Sequence, residues 1–362
     1  MPTNDFFKNM VKNIKDDMVT MMEDGLGAGE FTGYIDTGSY VMNAVISADI
    51  FGGMHNNKAI ALAGESTTGK SFFTMGIMKN YQQQYNDAGI MYYETEGAVN
   101  KADMAERGID VSRVMLGEPT TISEFRTKAM VLLNKYIETP RKERPPLMLV
   151  LDSLGMLSTT KEITDITEGN DKKDLTRSQE IRGAFRALRL RMAKAGIPMI
   201  ITNHTYATMD KYNPQVMGGG GGLVFASDTI LMLSKAKVTE GEGADRQVVG
   251  NIVHVKAFKN RLARENKRVD VLLTYDQGLD RYYGLLDMAE RYKVFKKVST
   301  RFEMPDGSKH FGTQIYREPE RFFTKDVLDK INEGVKKEFS YGKNDDTSVG
   351  EIAELNAEAE AE

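Results

Sequence analysis

The chain has 362 residues, 41% of them hydrophobic, and its 48 basic and 52 acidic residues give a formal net charge of −4. This length accommodates one large α/β domain with appendages, or two small domains. The absence of cysteine excludes disulfides, thiolate metal sites and thiol catalysis. No apolar run approaches the ~20 residues that cross a bilayer, and acidic residues near the N-terminus argue against a targeting peptide. We therefore expect an intracellular, cytoplasmic protein with no membrane partner.

The first predicted element is an amphipathic helix. Hydrophobic residues recur at helical spacing from Phe7 to Met22, with lysine and aspartate between them. A helix of this length does not fold alone, so it packs either on its own domain or on a neighbouring subunit. The glycine-rich stretch 25–29 separates it from the rest of the chain and slightly favours the neighbouring subunit.

A phosphate-binding loop follows the first core strand. Residues 64–71 read GESTTGKS and match the pattern G-x-x-x-x-G-K-[ST] at every fixed position. Glycines let backbone N–H groups close around phosphate oxygens at a helix N-terminus. In this pattern Lys70 reaches the β- and γ-phosphates, and the Ser71 hydroxyl binds Mg²⁺. We therefore expect a nucleoside triphosphate to bind through the eight residues of the loop, Gly64, Glu65, Ser66, Thr67, Thr68, Gly69, Lys70 and Ser71.

From Phe31 onward short apolar strands alternate with helices, which predicts a mostly parallel sheet covered by helices. The predicted strands lie at 58–63, 90–94, 147–152, 198–203, 228–233, 249–256 and 269–275, and the predicted helices at 69–84, 122–137 and 175–195. Two stretches without regular periodicity, 155–174 and 205–225, are long enough to be functional loops. The acidic end of the chain, from about Lys343, predicts a disordered tail.

Acidic residues end two of the strands beside the loop. Asp152 ends the strand 147–152, where P-loop enzymes place an acid that orients the Mg²⁺ shell. Glu94 and Glu96 end the preceding strand, at the sheet edge where ligands of open α/β sheets bind. A carboxylate there can activate the water that attacks the γ-phosphate. Spacing alone does not choose between Glu94 and Glu96.

Polar residues also end the strand 198–203. Asn203 or His204 at this position can hydrogen-bond the γ-phosphate and report its presence to the following loop. A purely structural role for the histidine is the alternative.

These motifs occur in the order found in RecA-type recombinases, and the chain resembles the phage UvsX branch of that family. The resemblance covers roughly residues 31–290 and rests on five segments: 64–71, 94–98, 149–153, 202–204 and 259–261. The segments 203–206, 217–220 and 283–289 are similar to UvsX in particular. The chain departs from bacterial RecA in lacking a full N-terminal α/β module and in having His204 where RecA has glutamine. Both departures favour the phage branch.

The resemblance implies an α/β fold, a RecA-like P-loop ATPase core with a mostly parallel sheet flanked by helices, over residues 31–290. An N-terminal helical extension over 1–30 would dock on another subunit. Residues 291–342 would form a C-terminal region of unknown role, and 343–362 the disordered acidic tail.

The resemblance also implies roles for individual residues. Glu96 rather than Glu94 becomes the hydrolytic glutamate, and His204 the γ-phosphate sensor. Lys259 and Arg261 become cations supplied to the ATP of the adjacent subunit, where the residue pattern alone favours a solvated basic hairpin. Tyr275 would stack on adenine. The stretches 155–174 and 205–225 resemble DNA-binding loops, and the candidate DNA contacts in the second are Tyr206, Tyr212, Gly218, Gly219, Gly220, Gly221 and Gly222.

The sequence thus predicts a DNA-dependent ATPase that uses ATP and Mg²⁺. It would form a helical filament on single-stranded DNA and exchange that strand with a homologous duplex, aided by a loader and a single-strand-binding protein. Two alternatives stay open. A hexameric helicase on the same core would carry a substantial N-terminal domain. A regulatory ATP-dependent assembly protein would hydrolyse ATP at a rate indifferent to nucleic acid.

Overall fold

The core of the chain is organised by a large twisted sheet. The computed structural model describes residues 3–14, 19, 21–24, 33–170, 176–207, 215–219, 221–241 and 246–342. In chain order the strands are β1 (Tyr34–Ile35), β2 (Met54–His55), β3 (Ala59–Gly64), β4 (Gly89–Glu94), β5 (Val114–Gly117), β6 (Leu147–Asp152), β7 (Met199–Ala207), β8 (Gln215–Met217), β9 (Thr229–Glu240), β10 (Gln247–Asn260), β11 (Arg268–Thr274), β12 (Gly278–Leu279), β13 (Lys296–Val298), β14 (Arg301–Glu303) and β15 (Lys309–Phe311). The α-helices are α1 (Thr3–Ile14), α2 (Tyr40–Ser47), α3 (Lys70–Gln84), α4 (Lys101–Glu106), α5 (Ile122–Glu138), α6 (Thr160–Thr167), α7 (Arg177–Ala195), α8 (Gly221–Ala226), α9 (Leu285–Arg291), α10 (Gly312–Arg317), α11 (Pro319–Phe322) and α12 (Lys325–Phe339).

The strand order of the main sheet is β12-β11-β10-β9-β3-β7-β6-β4-β5. Its strands are parallel from β9 to β5, while β10, β11 and β12 continue it in antiparallel fashion. Every residue of β3 and β6 is buried, as expected for parallel strands covered by helices on both faces. The predicted α/β class with a mostly parallel sheet is confirmed. The carboxyl ends of β3, β4, β6 and β7 meet at one edge, which becomes the site described below.

The two predicted loops contain regular structure, which the absence of periodicity did not indicate. Helix α6 lies within 155–174, and it begins with a capping box between Thr159 and Glu162. In 205–225, β7 continues to Ala207 and pairs antiparallel with β8, and α8 follows. The edge strand β5 was not predicted either. These elements are short, so their polar or mixed residues produce no period long enough to recognise.

The C-terminal region packs on the main body. Helix α12 buries Val335 and Phe339 in the same hydrophobic core as the sheet. The Asn332 side chain accepts a hydrogen bond from the backbone of Ile50 and donates one to Asp49, both at 2.9 Å. Strands β13 to β15 form a separate antiparallel sheet.

Several predicted features lie wholly or partly outside the described residues: the helix beyond Ile14, the stretch 25–29, Tyr212, Gly220 and the acidic tail 343–362. Helix α1 itself carries half-exposed Phe6, Phe7, Met10 and Ile14 along its length. Within the described part of the chain, no helix combines the length and apolar character that crossing a bilayer requires.

Candidate nucleotide site

The phosphate-binding loop joins β3 to α3. Gly69 caps the helix with a φ of +93°, a conformation that glycine adopts without strain. A Cβ at Gly64 would lie 2.6 Å from the carbonyl oxygen of Leu233 on β9, so the neighbouring strand leaves no room for a side chain there. The Lys70 side chain folds back and donates to the carbonyl oxygens of Gly64 at 3.0 Å and Glu65 at 2.8 Å. The loop therefore encloses its own lysine.

A cavity of about 360 Å³ opens beside this loop. Nine of the predicted site residues line it: Ser66, Thr67, Gly69, Lys70, Ser71, Glu96, Asp152, His204 and Tyr275. They come from the loop, from the ends of β4 and β6, from β7 and from the turn after β11. The fold therefore brings together residues as far apart in the chain as Lys70 and Tyr275.

Glu94 and Glu96 occupy different environments. The buried Glu94 carboxylate accepts the backbone N–H groups of Glu96, Gly97 and Ala98 at 3.0, 2.7 and 3.2 Å. Glu96 faces the cavity, where its Oε1 lies 2.9 Å from Nε2 of His204. Glu94 thus shapes the turn, and Glu96 is the carboxylate presented to a ligand. The assignment of the hydrolytic role to Glu96 stays a prediction.

Asp152 is held rigidly at the end of β6. Its Oδ2 accepts from the Tyr92 hydroxyl at 2.7 Å, and its Oδ1 accepts from the Thr202 hydroxyl. Burial, together with the Asp152 charge, raises the pKa of Tyr92, so the tyrosine stays a donor. Ser71 and Asp152 offer hydroxyl and carboxylate oxygens to the same cavity, a donor set that suits Mg²⁺.

The charges of the cavity are coupled. Burial lowers the pKa of Lys70, although the carboxylates of Glu96 and Asp152 oppose the effect. Burial acts to raise the pKa of Glu96, but the Ser153 and His204 side chains and the charge of Lys70 outweigh it and lower that pKa. Glu96 is therefore ionised at neutral pH, as a residue that orients or deprotonates water must be.

His204 connects the cavity to the second predicted DNA loop. Its ring contacts Glu96, and its backbone oxygen accepts a hydrogen bond from the N–H of Gly218 at 2.9 Å. The side chain of Asn203 donates to the carbonyl oxygen of Gly218 at 2.7 Å. A movement of the β7 end therefore has direct contacts through which to reach this glycine-rich stretch.

Lys259 and Arg261 do not line the cavity. Lys259 donates to the carbonyl oxygens of Val224 and Ser227, at 2.6 and 2.7 Å, at the end of α8. Arg261 lies 3.4 Å from Asp228, a buried carboxylate. Both cations therefore have partners within their own subunit, although the Arg261 side chain remains 57% exposed. Their service to an adjacent subunit's nucleotide stays a prediction.

The candidate DNA contacts divide into exposed and packed residues. Tyr206 is 58% exposed, and its contact with a base stays a prediction. Gly222 is buried, and a Cβ there would lie 2.6 Å from Ile181 of α7, so its missing side chain serves packing. Gly219 has a φ of +78° and also abuts Ile181. Gly218 is partly buried, and Gly221 is exposed.

The cavity-lining residues that sequence reasoning missed include Phe72 and Arg107. The Arg107 guanidinium lies 4.5 Å from the ring centroid of Phe72. Arg107 and Phe72 line the cavity beside the P-loop. Together with Tyr275 they also line a neighbouring cavity of about 530 Å³. Phe72 directly follows the P-loop motif and could have been suspected from that position. Arg107 carries no sequence signal, because only the fold brings the end of α4 to this cleft.

Comparisons with known proteins identify the family. The family described as "RecA N-terminal domain" matches residues 9–280. The recombination and repair protein of enterobacteria phage T4 is 31% identical over 249 residues, which are 69% of this chain and 61% of that protein. RecA proteins of Borrelia hermsii and Bifidobacterium breve are 22% and 24% identical, over 89% and 84% of this chain and 86% and 74% of their own lengths. The resemblance to RecA and to its phage branch is thereby confirmed, and the chain belongs to the RecA family.

Proposed function

We propose that this protein is an ATP-dependent recombinase that assembles on single-stranded DNA and pairs it with a homologous duplex. The observation that carries the proposal is the cavity in which Lys70, Ser71, Glu96, Asp152 and His204 meet on a RecA-family fold. The names of the relatives point the same way, because they are RecA proteins and a phage recombination and repair protein.

ATP hydrolysis follows from the groups around the cavity. The triphosphate takes Lys70 from the carbonyl oxygens of Gly64 and Glu65, and the loop N–H groups close around its oxygens. Glu96 orients the attacking water and accepts its proton. Ser71 and Asp152 would hold Mg²⁺, which neutralises charge on the β- and γ-phosphates when bound.

The state of the γ-phosphate would reach DNA through His204. With ATP bound, the His204 ring exchanges its contact with Glu96 for a phosphate oxygen. Its backbone bond to Gly218 then transmits the shift to the second loop. In that loop Tyr206 stacks on bases, and the glycines let the backbone approach the strand. Hydrolysis reverses the exchange and weakens the hold on DNA.

Lys259 and Arg261 would complete the ATP site of the adjacent subunit, as an arginine finger does. Arg261 is the easier of the two to release, since its side chain is 57% exposed and its distance to Asp228 is long. Lys259 must exchange two short bonds at the end of α8 for its new partner. Delivery of the cations would thus accompany a change next to the second loop.

Two apolar surfaces support assembly into a filament. One is the half-exposed face of α1 that contains Phe6, Phe7 and Met10. The other is β5, which has no strand on its outer side among the described residues and exposes Met115 and Leu116. An open edge with apolar side chains is a natural docking place for another chain. Different patches on one subunit give a head-to-tail contact, which forms an open helix when it does not close.

The test is ATP hydrolysis with and without a single-stranded oligonucleotide, with Lys70→Ala as the blank. We expect strong stimulation by the oligonucleotide and no hydrolysis by the variant. Hydrolysis that is intact but indifferent to DNA would contradict the proposal and favour the assembly protein. Electron microscopy of the DNA complex distinguishes open filaments from the closed rings of a helicase. A loader and a single-strand-binding protein are the further partners of this proposal, to be sought by their effect on the stimulated rate.

A further inference from the structure

A lysine outside the P-loop motif contacts the loop from its outer side. β3 and β9 pair in parallel with Gly64 opposite Leu233, so β9 continues beyond the point where the chain leaves β3 for the loop. Two residues further along β9, Lys235 donates from Nζ to the carbonyl oxygen of Thr67 at 2.8 Å and to its hydroxyl at 2.7 Å. The partners are 168 positions apart in the chain.

The residue that Lys235 contacts has an unfavourable backbone conformation. Thr67 has a φ of +63°, in the left-handed region that a β-branched residue rarely adopts. Strain of this kind persists only where the surroundings impose it. Thr67 lines the ATP cavity together with Ser66 and Gly69. A relaxation at Thr67 would therefore turn neighbouring N–H groups away from the place where phosphate binds.

A bound nucleotide would displace the hydrogen bonds of Lys70 but not those of Lys235. Lys70 bonds the carbonyl oxygens of Gly64 and Glu65 from inside the loop, and a triphosphate would take it from them. Lys235 is not among the residues that line the cavity. Its bonds to Thr67 can therefore persist while the site fills.

We propose that Lys235 is a positioning residue that holds Thr67 in its left-handed conformation and keeps the loop shaped for a triphosphate. The inference rests on the proposed binding of ATP at this loop. A preformed loop spares the nucleotide the free energy of ordering it. Since the ground state and the transition state need the same loop, losing the brace raises KM and leaves kcat unchanged.

The first comparison is between Lys235→Met and Lys237→Met. The control removes the same charge two residues further along the same face of β9. Binding of a fluorescent ATP analogue gives Kd, hydrolysis with single-stranded DNA gives KM and kcat, and melting without nucleotide reports folding. We expect Kd and KM to rise about tenfold in Lys235→Met only, the size of effect that left-handed strain produces. Lys235→Arg, which keeps a donor, should retain most of the affinity.

The second comparison repeats Lys235→Met in a Thr67→Gly background. Glycine adopts a positive φ without strain, so the brace becomes dispensable and the additional loss should fall below about twofold. A tenfold loss that persists in this background would overturn the positioning role. So would equal losses in Lys235→Met and Lys237→Met, which would reveal a general charge effect.

Lys70→Ala separates this inference from the proposed function. If it binds the analogue as well as the unaltered protein does, nucleotide binding at this loop is refuted, and the role of Lys235 with it. If Lys70→Ala abolishes binding while both β9 variants behave alike, only the role of Lys235 is refuted.

Discussion

The roles of Glu94 and Glu96 can be separated by one isosteric change at each position. Glu96→Gln removes the charge that faces the cavity and keeps the shape of the side chain. Glu94→Gln makes the same chemical change two residues away, in a carboxylate that holds three backbone N–H groups. The pair is a matched test of catalysis against architecture.

The two expected magnitudes differ in kind. A general base contributes about 10²- to 10⁴-fold to the rate, so Glu96→Gln should lower kcat by at least ~10²-fold with nucleotide binding retained. At Glu94 the amide oxygen can still accept from Glu96 and Ala98, but the NH₂ group then faces the N–H of Gly97, which Oε2 accepts at 2.7 Å. An unsatisfied buried donor costs about 1–3 kcal/mol. Glu94→Gln should therefore lower the melting temperature by a few degrees and weaken nucleotide binding.

Three measurements decide the matter: phosphate release with single-stranded DNA, equilibrium binding of a fluorescent ATP analogue, and thermal melting. Glu96→Gln should greatly lower the rate of phosphate release and leave nucleotide binding and melting nearly unchanged. Glu94→Gln should have its largest effect on the melting temperature. The reasoning is refuted if Glu94→Gln abolishes hydrolysis at unaltered stability while Glu96→Gln stays active. In that case Glu94 would leave its three backbone partners when the nucleotide binds.

Three further predictions concern the subunit interface and stability. The Glu96→Gln protein lacks the proposed catalytic base, and the Arg261→Ala protein lacks the proposed arginine finger. Mixing the two should restore hydrolysis at interfaces between unlike subunits. A mixture as inactive as its components would rule out action between subunits. Met10→Lys on the apolar face of α1 should raise the protein concentration needed for filaments by about tenfold or more, since burying an exposed methionine contributes roughly 1.5–3 kcal/mol. Asn9→Lys on the polar face of the same helix should leave that concentration unchanged. Light scattering measures filament formation by both variants. Burial, together with the nearby charge of Lys58, lowers the pKa of His55 to about 4. The unfolded chain therefore binds that proton first as the pH falls, so stability present above about pH 6.5 is lost toward pH 4. Between pH 7 and pH 5, His55→Gln should reduce the loss in free energy of unfolding by about 1 kcal/mol, a figure discounted for partial exposure of the histidine. Chemical denaturation at the two pH values measures this free energy. A pH profile that the substitution leaves unchanged would contradict this account.

What could be predicted from the sequence depends on how local the physics is. The phosphate-binding loop was predictable because its glycines, its lysine and the flanking β3 and α3 are contiguous. The parallel sheet was predictable because its strands are buried on both faces and therefore uniformly apolar. The meeting of Asp152 and His204 at one edge follows from strands that end at the same side of a sheet. Each of these features is decided within a segment or by a general rule of topology.

The rest depends on contacts between distant segments. The spacing of the residues does not reveal that three backbone N–H groups of the following turn donate to the Glu94 carboxylate. Both Glu94 and Glu96 therefore remained candidates when only the sequence was considered. The capping box of Thr159 and Glu162 was legible, but α6 is only eight residues long and mostly polar. The positions of Arg107 and Lys235 have no sequence signature, because their partners are brought to them only by the folded sheet.

The second predicted DNA loop is bonded to nucleotide-site residues at both of its ends, and this bears on how hydrolysis is coupled to DNA. Before the undescribed residues 208–214, His204 contacts Glu96 and Gly218. After them, Gln215 donates to the Glu65 carboxylate of the P-loop at 3.2 Å. Lys259 donates to the carbonyl oxygens of Val224 and Ser227 at the end of α8. The contacts to Glu96 and Glu65 involve residues of the subunit's own candidate nucleotide site, and Lys259 is a cation proposed for its neighbour's. A DNA strand that binds this loop must then change the affinity for nucleotide by the same factor by which nucleotide changes the affinity for DNA. Because Lys259 is the cation proposed for the neighbour's ATP, the proposal makes a pair of adjacent subunits, rather than a single one, the unit that couples hydrolysis to DNA.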